Sequence, residues 1–121
     1  LPPEQHLIVK SNQRLAAIPR QESDVYHPSC NLLLESVAEV FREKAVGLIM
    51  TGMGSDGCRG IELIVRRGGT TLAQDEESSV VFGMNKNAID KQLIHRTIPL
   101  DGFAAVLLSM ACHGHVESIL P

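Results

Sequence analysis

The stretch that decides the fold is residues 46–60, which read V-G-L-I-M-T-G-M-G-S-D-G-C-R-G. Its first five residues form an apolar run, which is typical of a strand buried on both faces of a parallel sheet. The glycines that follow allow a sharp turn with accessible backbone N–H groups. Apolar residues then recur until Gly68 and Gly69, which predicts a helix that ends there. The helix therefore begins at the carboxyl end of the strand, where open α/β sheets bind ligands.

Two elements are predicted before this unit. Residues 6–9 and 14–18 are β-prone runs separated by K-S-N-Q, which indicates a hairpin. Pro28 and Ser29 then begin a helix, in which apolar residues recur with a period of 3.6 up to residue 41.

Alternating strands and helices are predicted after it. Residues 70–74 read as a strand that closes a β-α-β unit, and the acidic residues 75–78 open a short helical piece up to residue 82. We expect a helix over residues 84–91, a strand over 94–98 and a final helix. Asp101 caps that helix, Gly114 ends it, and its apolar stripe comprises Phe103, Val106, Leu107, Met110 and Ala111. The fold class predicted is α/β, a doubly wound, mainly parallel sheet in a Rossmann-like three-layer arrangement.

Composition excludes several classes of protein. The net charge is −3 over 121 residues, and no basic stripe is present, which argues against a nucleic-acid partner. No apolar run approaches the roughly 20 residues that span a bilayer, so we expect no membrane insertion. The cysteines are odd in number and widely spaced, which indicates reduced thiols. The prediction is a soluble, cytoplasmic domain, and the Leu1 start suggests a piece of a longer protein.

Residues 52–57, G-M-G-S-D-G, match the dinucleotide-binding pattern G-x-G-x-x-G, and Asp75 or Glu76 follows near the position of a ribose-binding acid. Asp56 argues against this interpretation. Its carboxylate would stand at the helix N-terminus and repel a pyrophosphate that needs the same N–H groups. Dinucleotide binding therefore stays an alternative that the charge disfavours.

Asp56 itself has two compatible interpretations. An aspartate at the start of a helix is most often an N-cap, and spacing alone favours that role. A carboxylate held at the carboxyl edge of a core strand can also orient a histidine, as the third member of a catalytic triad does.

The histidines do not form a triad or a metal site by spacing alone. Residues 112–115, C-H-G-H, could bind a metal, but a second ligand pair at zinc-site spacing is missing. A histidine that interacts with a helix dipole is the better account. The sequence also lacks a G-x-S-x-G elbow, so it indicates no nucleophile of its own.

Two blocks, T-G-M-G-S-D-G at residues 51–57 and T-L-A-Q-D-E-E-S-S-V-V-F-G-M at residues 71–84, closely resemble the later part of the catalytic domain of CheB, the bacterial chemotaxis protein-glutamate methylesterase. The opening P-P-E-Q-H-L-I-V and the helix start Y-H-P-S are similar too. The resemblance runs from Pro2 to about Gly114. It implies that residues 1–121 are the C-terminal part of such a domain, incomplete at the N-terminal side and without a receiver domain.

The resemblance implies a Ser-His-Asp mechanism that hydrolyses glutamyl methyl esters on chemoreceptors and releases methanol, with glutamine deamidation as a further reaction and no cofactor. Asp56 matches the triad acid, and the backbone N–H of Met53 matches an oxyanion donor. The family's nucleophile, in a G-A-S-x-G-G turn, and its histidine are expected before Leu1. The chain alone is therefore expected to be inactive.

The implied partners are the cytoplasmic helices of methyl-accepting chemoreceptors and the upstream part of the same catalytic domain. We also expect the isolated fragment to form a homo-oligomer, because its apolar core strand would lack a neighbour. Two departures from the family, Asn31 in place of aspartate and Asn85 in place of proline, suggest a divergent member. A CheB-like module kept for interaction only remains an alternative.

Overall fold

The computed structural model describes residues 1–113 of the chain. It begins with two antiparallel strands, β1 (Gln5–Val9) and β2 (Leu15–Pro19), which pair as a separate sheet and confirm the predicted hairpin. The hairpin packs on helix α1 (Cys30–Phe41), where the Val9 N–H donates a hydrogen bond of 2.9 Å to Ser36 Oγ.

The main sheet has three parallel strands, and helices connect them. In chain order, the elements after α1 are a 3-10 turn (Arg42–Lys44), β3 (Val46–Ile49), α2 (Cys58–Arg66), β4 (Thr70–Gln74), α3 (Met84–Asp90), β5 (Arg96–Ile98), a second 3-10 turn (Leu100–Gly102) and α4 (Phe103–His113). The strand order in the sheet is β3, β4, β5, and Leu48 pairs with Leu72.

Helices cover both faces of this sheet, which confirms the α/β three-layer prediction. On one face, α4 buries Phe103 and Met110 against Leu72 and Ile98. On the other face α2 packs directly on β3, because Gly47 has no side chain: a Cβ there would stand 2.6 Å from the Ile64 Cδ1 atom. Among the described residues no helix is both long and apolar enough to cross a bilayer.

The prediction that the first core strand is buried on both faces is wrong. Val46 is 37% exposed and Leu48 is only partly buried, and Met50 lies beyond the end of β3. Residues 71–74 of β4 are all buried instead. β3 pairs with β4 alone in the described part of the chain, so it is an edge strand, whereas β4 has a partner on each side.

The predicted helical piece after β4 is also wrong. Residues 75–82, which we call the β4 loop, form turns. The Asp75 carboxylate accepts hydrogen bonds from both the N–H and the hydroxyl of Ser78, and the Ser79 hydroxyl donates to the Asp75 carbonyl. Short polar side chains thus satisfy the local backbone and compete with a helix.

The final helix differs from its prediction at both ends. Asp101 lies inside the 3-10 turn and does not cap α4, which begins at Phe103. The predicted stripe is right at Phe103 and Met110, which are buried, whereas Leu107 and Ala111 are exposed. Gly114 lies outside the described residues.

Candidate active site

The turn after β3, residues 51–57, is clamped against the β4 loop. We call it the β3 turn. The Gly52 N–H donates to the Val81 carbonyl at 2.9 Å, and the Gly52 carbonyl accepts from the N–H groups of Gly83 and Met84, each at 3.0 Å. These bonds join the carboxyl ends of two neighbouring parallel strands, so the position of the β3 turn is fixed by the core sheet.

Met53 stands at the outer end of this turn. Its side chain is 78% exposed. Within residues 1–113, its backbone N–H donates to no acceptor, although its neighbour Gly52 is clamped and the Gly54 carbonyl accepts from Asn87 Nδ2 at 2.8 Å. A backbone N–H that is fixed in position and has no acceptor within the protein is the kind of donor that stabilises an oxyanion.

Asp56 is the buried charge of the site, and its side chain accepts three hydrogen bonds from the start of α1. The Cys30 N–H donates to Oδ2 at 2.6 Å, and the Asn31 N–H and the Ser29 hydroxyl donate to Oδ1 at 3.1 and 3.0 Å. Asp56 is only 6% exposed. The expectation that it caps the helix it precedes is therefore wrong: it caps α1, which lies 25 residues or more away in sequence.

A residue of α1, Asn31, caps the start of α2. Asn31 Oδ1 accepts hydrogen bonds from the N–H groups of Gly57 at 2.9 Å and Gly60 at 3.0 Å. Two N–H groups at the start of α2 are thus already bonded within the protein. A pyrophosphate would have to displace Asn31 as well as overcome the Asp56 charge, so the dinucleotide interpretation loses its binding groups.

His6 is a buried residue beside Asp56 that sequence reasoning missed. It lies on β1 and is 1% exposed. The Ser29 N–H donates to its Nδ1 at 3.0 Å, so the proton of the neutral ring is on Nε2, which donates to Asp24 Oδ2 at 2.7 Å. Because Ser29 also bonds Asp56, one residue connects the imidazole to the buried carboxylate.

A signal for His6 was present in the sequence. In the run Q-H-L-I-V, His6 and Ile8 fall on the same face of the strand, and an imidazole on the buried face of a strand needs hydrogen-bond partners. Those partners are 18 and 23 residues further along the chain, so no local sequence pattern identifies them.

Asp24 is the carboxylate that His6 contacts directly. The hydrogen bond from the His6 ring, together with the Gln21 N–H at 2.7 Å, holds the pKa of the Asp24 carboxyl below its ordinary value. Asp24 therefore stays ionised at neutral pH and keeps the Nε2 proton of His6 in place.

Cys30 lies beside Asp56 but is a poor candidate for a nucleophile. Partial burial raises the pKa of the Cys30 thiol, and the neighbouring Asp56 carboxylate raises it further. Thiols react as thiolates, which this environment disfavours. The Ser29 hydroxyl is no better, because it donates its hydrogen bond to the Asp56 carboxylate and not to a histidine.

Two other histidines, His27 and His95, lie outside this network. His95 Nδ1 accepts from the Thr71 N–H at 2.9 Å, at the β4–β5 side of the sheet, and His27 Nδ1 bonds the Pro3 carbonyl. Of the predicted C-H-G-H cluster, Gly114 and His115 lie outside the described residues. Within those residues, no group of three or more His, Cys, Asp or Glu side chains is arranged to hold a metal ion.

A family model for the CheB methylesterase matches residues 1–107. The chain belongs to the CheB methylesterase family. A protein-glutamate methylesterase/protein-glutamine glutaminase of Paramagnetospirillum magneticum is 50% identical over 109 residues, which are 90% of this chain and 31% of the relative. The protein-glutamate methylesterase FrzG of Myxococcus xanthus is 42% identical over 107 residues, 88% of this chain and 32% of the relative.

A solved structure agrees with this assignment. The crystal structure of the CheB methylesterase catalytic domain of Thermotoga maritima superimposes with a TM-score of 0.82 at 29% identity, over 90% of this chain and 59% of that one. The chain thus spans about a third of the length of these two curated methylesterases and somewhat over half of the solved catalytic domain.

Proposed function

We propose that residues 1–121 are the C-terminal part of the catalytic domain of a protein-glutamate methylesterase, with no receiver domain among them. The reaction is hydrolysis of glutamyl methyl esters on chemoreceptors, with release of methanol. The observation that carries the proposal is the pairing of a rigid, buried carboxylate, Asp56, with a free backbone N–H at Met53 in the same clamped turn. Acyl transfer needs both groups within one site.

Each group has a stated role. A serine from outside residues 1–121 attacks the ester carbonyl, a histidine accepts the serine proton, and the Met53 N–H stabilises the oxyanion that forms. The histidine then protonates the departing methanol, and water hydrolyses the acyl-enzyme. Asp56 stabilises the charged histidine. A carboxylate has about four acceptor sites and Asp56 uses three, so one on Oδ2 is open to an imidazole N–H.

We assign the histidine, like the serine, to a part of the catalytic domain outside residues 1–121, as the resemblance implies. His6 does not fit this role, because it is 1% exposed, its Nε2–H donates to Asp24 and its Nδ1 accepts from Ser29, so neither ring nitrogen contacts Asp56. His6 instead binds the start of α1, which carries the donors to Asp56.

Partners and location follow from the same proposal. The enzyme acts in the cytoplasm on the helices of methyl-accepting receptors, and the β3 turn contacts the upstream part of the catalytic domain. Apolar side chains next to the β3 turn, Val80 at 90% exposure among them, support contact with a partner. The open edge of β3 supports self-association of the isolated fragment. Light scattering over a hundredfold dilution tests this association, and a monomer at every concentration contradicts it.

The test of the enzyme assignment is methanol release from methylated receptor by the complete protein. We expect turnover in the complete wild-type protein and none from residues 1–121 alone, which lack the nucleophile and the base. Methanol release by residues 1–121 alone, abolished by Asp56→Ala, would show that the nucleophile lies within them.

A non-catalytic interaction module is the second candidate. It is favoured by the exposed apolar side chains at and beside the β3 turn, Met53 and Val80, which suit a contact surface. A complete protein that binds methylated receptor but releases no methanol would support this candidate and contradict the enzyme.

A further inference from the structure

The N-termini of α1 and α2 cap each other across the interface between the two helices. Asp56, just before α2, accepts from the first N–H groups of α1, and Asn31, in the first turn of α1, accepts from the N–H groups of Gly57 and Gly60. Helix N-termini leave unsatisfied N–H donors that side-chain oxygens satisfy. Here the residue at the start of each helix supplies the side-chain oxygen that caps the other helix.

The exchange makes the two side chains depend on each other. Asn31 uses its backbone N–H to bind Asp56 Oδ1 and its side-chain oxygen to bind the Gly57 N–H, the peptide group that directly follows Asp56. Asp56 is therefore held at its carboxylate and at its own backbone by the same residue. A shift of Asn31 moves both ends of the aspartate.

The close approach of the helices leaves little freedom for this arrangement. Gly60 lies against α1, and a Cβ at this position would stand 2.4 Å from the Leu34 Cβ and 3.2 Å from the Asn31 carbonyl oxygen. The helices can approach closely enough to exchange caps because Gly60 has no side chain. The geometry that orients Asp56 is thus built into the packing of α1 on α2.

We propose that Asn31 is a positioning residue, which fixes the Asp56 carboxylate for its role toward the histidine. The proposal rests on the methylesterase function proposed above. Nothing requires Asn31 to touch substrate: it acts through Gly57 and Asp56. Its amide oxygen supplies the two caps of α2 without a second negative charge beside Asp56.

The test compares Asn31→Ala, Asn31→Asp and a control in the complete protein. Asn31→Ala removes the oxygen and should lower kcat on the order of 10- to 100-fold with little change in KM, because misplacement of a catalytic group slows the chemical step. Asn31→Asp restores the acceptor and should recover most of the turnover. It also adds a negative charge that favours the protonated histidine, so the acid limb of the pH–rate profile should move to higher pH.

Ser36→Ala is the matched control. It removes a hydroxyl of α1 that ties Val9 to the helix, away from Asp56, so it should lower stability while kcat stays within about twofold of wild type. A kcat loss in Asn31→Ala no larger than in Ser36→Ala, at temperatures where both are folded, would overturn the proposal.

Amide hydrogen exchange separates this inference from the function on which it rests. In Asn31→Ala the Gly57 and Gly60 amides lose their acceptor directly. We expect faster exchange at Cys30 as well, because its acceptor Asp56 is no longer held at the Gly57 peptide group. Exchange at Cys30 unchanged from wild type would contradict the positioning role. That readout does not depend on whether the protein is an esterase.

Discussion

Two acidic turns follow neighbouring strands of the same sheet and use their carboxylates in opposite ways. In the β3 turn, Asp56 is buried and bonds to α1, 25 or more residues away. In the β4 loop, Asp75 is partly exposed and bonds to Ser78, within its own turn. The first carboxylate joins distant elements, whereas the second shapes a local turn. We therefore expect Asp56 to contribute more than Asp75 to both the stability and the turnover.

The largest expected difference between the two turns is in turnover. In the complete protein Asp56→Asn should lower kcat by about 10² to 10⁴-fold, because an amide does not stabilise the charged histidine; the upper end is the loss that a protease triad aspartate shows on the same change. Asp75→Asn is the matched control and should stay within about twofold. The measurement is methanol release from methylated receptor. Equal losses of kcat in Asp56→Asn and Asp75→Asn would contradict a functional difference between the two turns.

The next difference is in the free energy of unfolding. Asp56→Ala leaves two part-buried backbone N–H groups of α1 without their acceptor, and we expect a loss of about 2–4 kcal/mol. Asp75→Ala leaves groups of a partly exposed loop that water can reach, so its loss should be about 1 kcal/mol or less. Chemical denaturation of both variants measures the difference, and a larger loss for Asp75→Ala would invert the comparison.

Gly83→Ala tests the contact that joins the two turns. A Cβ at Gly83 would stand 2.9 Å from the Gly52 carbonyl oxygen and 3.2 Å from the Met53 Cα. The β3 turn must therefore move away from the β4 loop. We expect a stability loss of about 1–3 kcal/mol, with lower turnover because Met53 shifts. Ser79→Ala, in the same loop, controls for a side-chain change away from the clamp. Wild-type kcat in Gly83→Ala would show that Met53 does not depend on the clamp.

Asp24 provides the test with the smallest expected effect. Its carboxylate has one local partner, the Gln21 N–H, and one distant partner, His6. These bonds lower the folded-state pKa of the Asp24 carboxyl below the value of about 3.9 in the unfolded chain. Its contribution to stability is therefore complete above that value and is lost as the pH falls through the folded-state pKa. Asp24→Asn should be less stable than wild type at pH 6, and the two should converge toward pH 2 in acid unfolding. A constant difference would exclude the carboxylate charge as the cause.

Much of the architecture could be predicted because it depends on local patterns. The apolar run before the glycines predicts β3. The apolar residues after the glycines, Ile61, Leu63, Ile64 and Val65, predict α2, and the structure buries Ile61 and Ile64 of these four. The β4 loop was predicted wrongly because its acidic residues suit a helix start, whereas their bonds to Ser78 and Ser79 compete with one. Which strand is central in the sheet was also missed, because periodicity does not report strand order.

The sequence by itself determined the α/β class, the glycine turn that carries Met53 and Asp56, and the family to which the chain is similar. Each of these depends on residues that are close together in the sequence. Only the tertiary structure decided that Asp56 caps α1, that Asn31 caps α2 in return, and that His6 reaches Asp56 through Ser29. Those contacts join residues 23 or more positions apart. They form only when the hairpin, α1 and the β3 turn pack together, because a side-chain oxygen caps whichever buried N–H group the packing brings within reach.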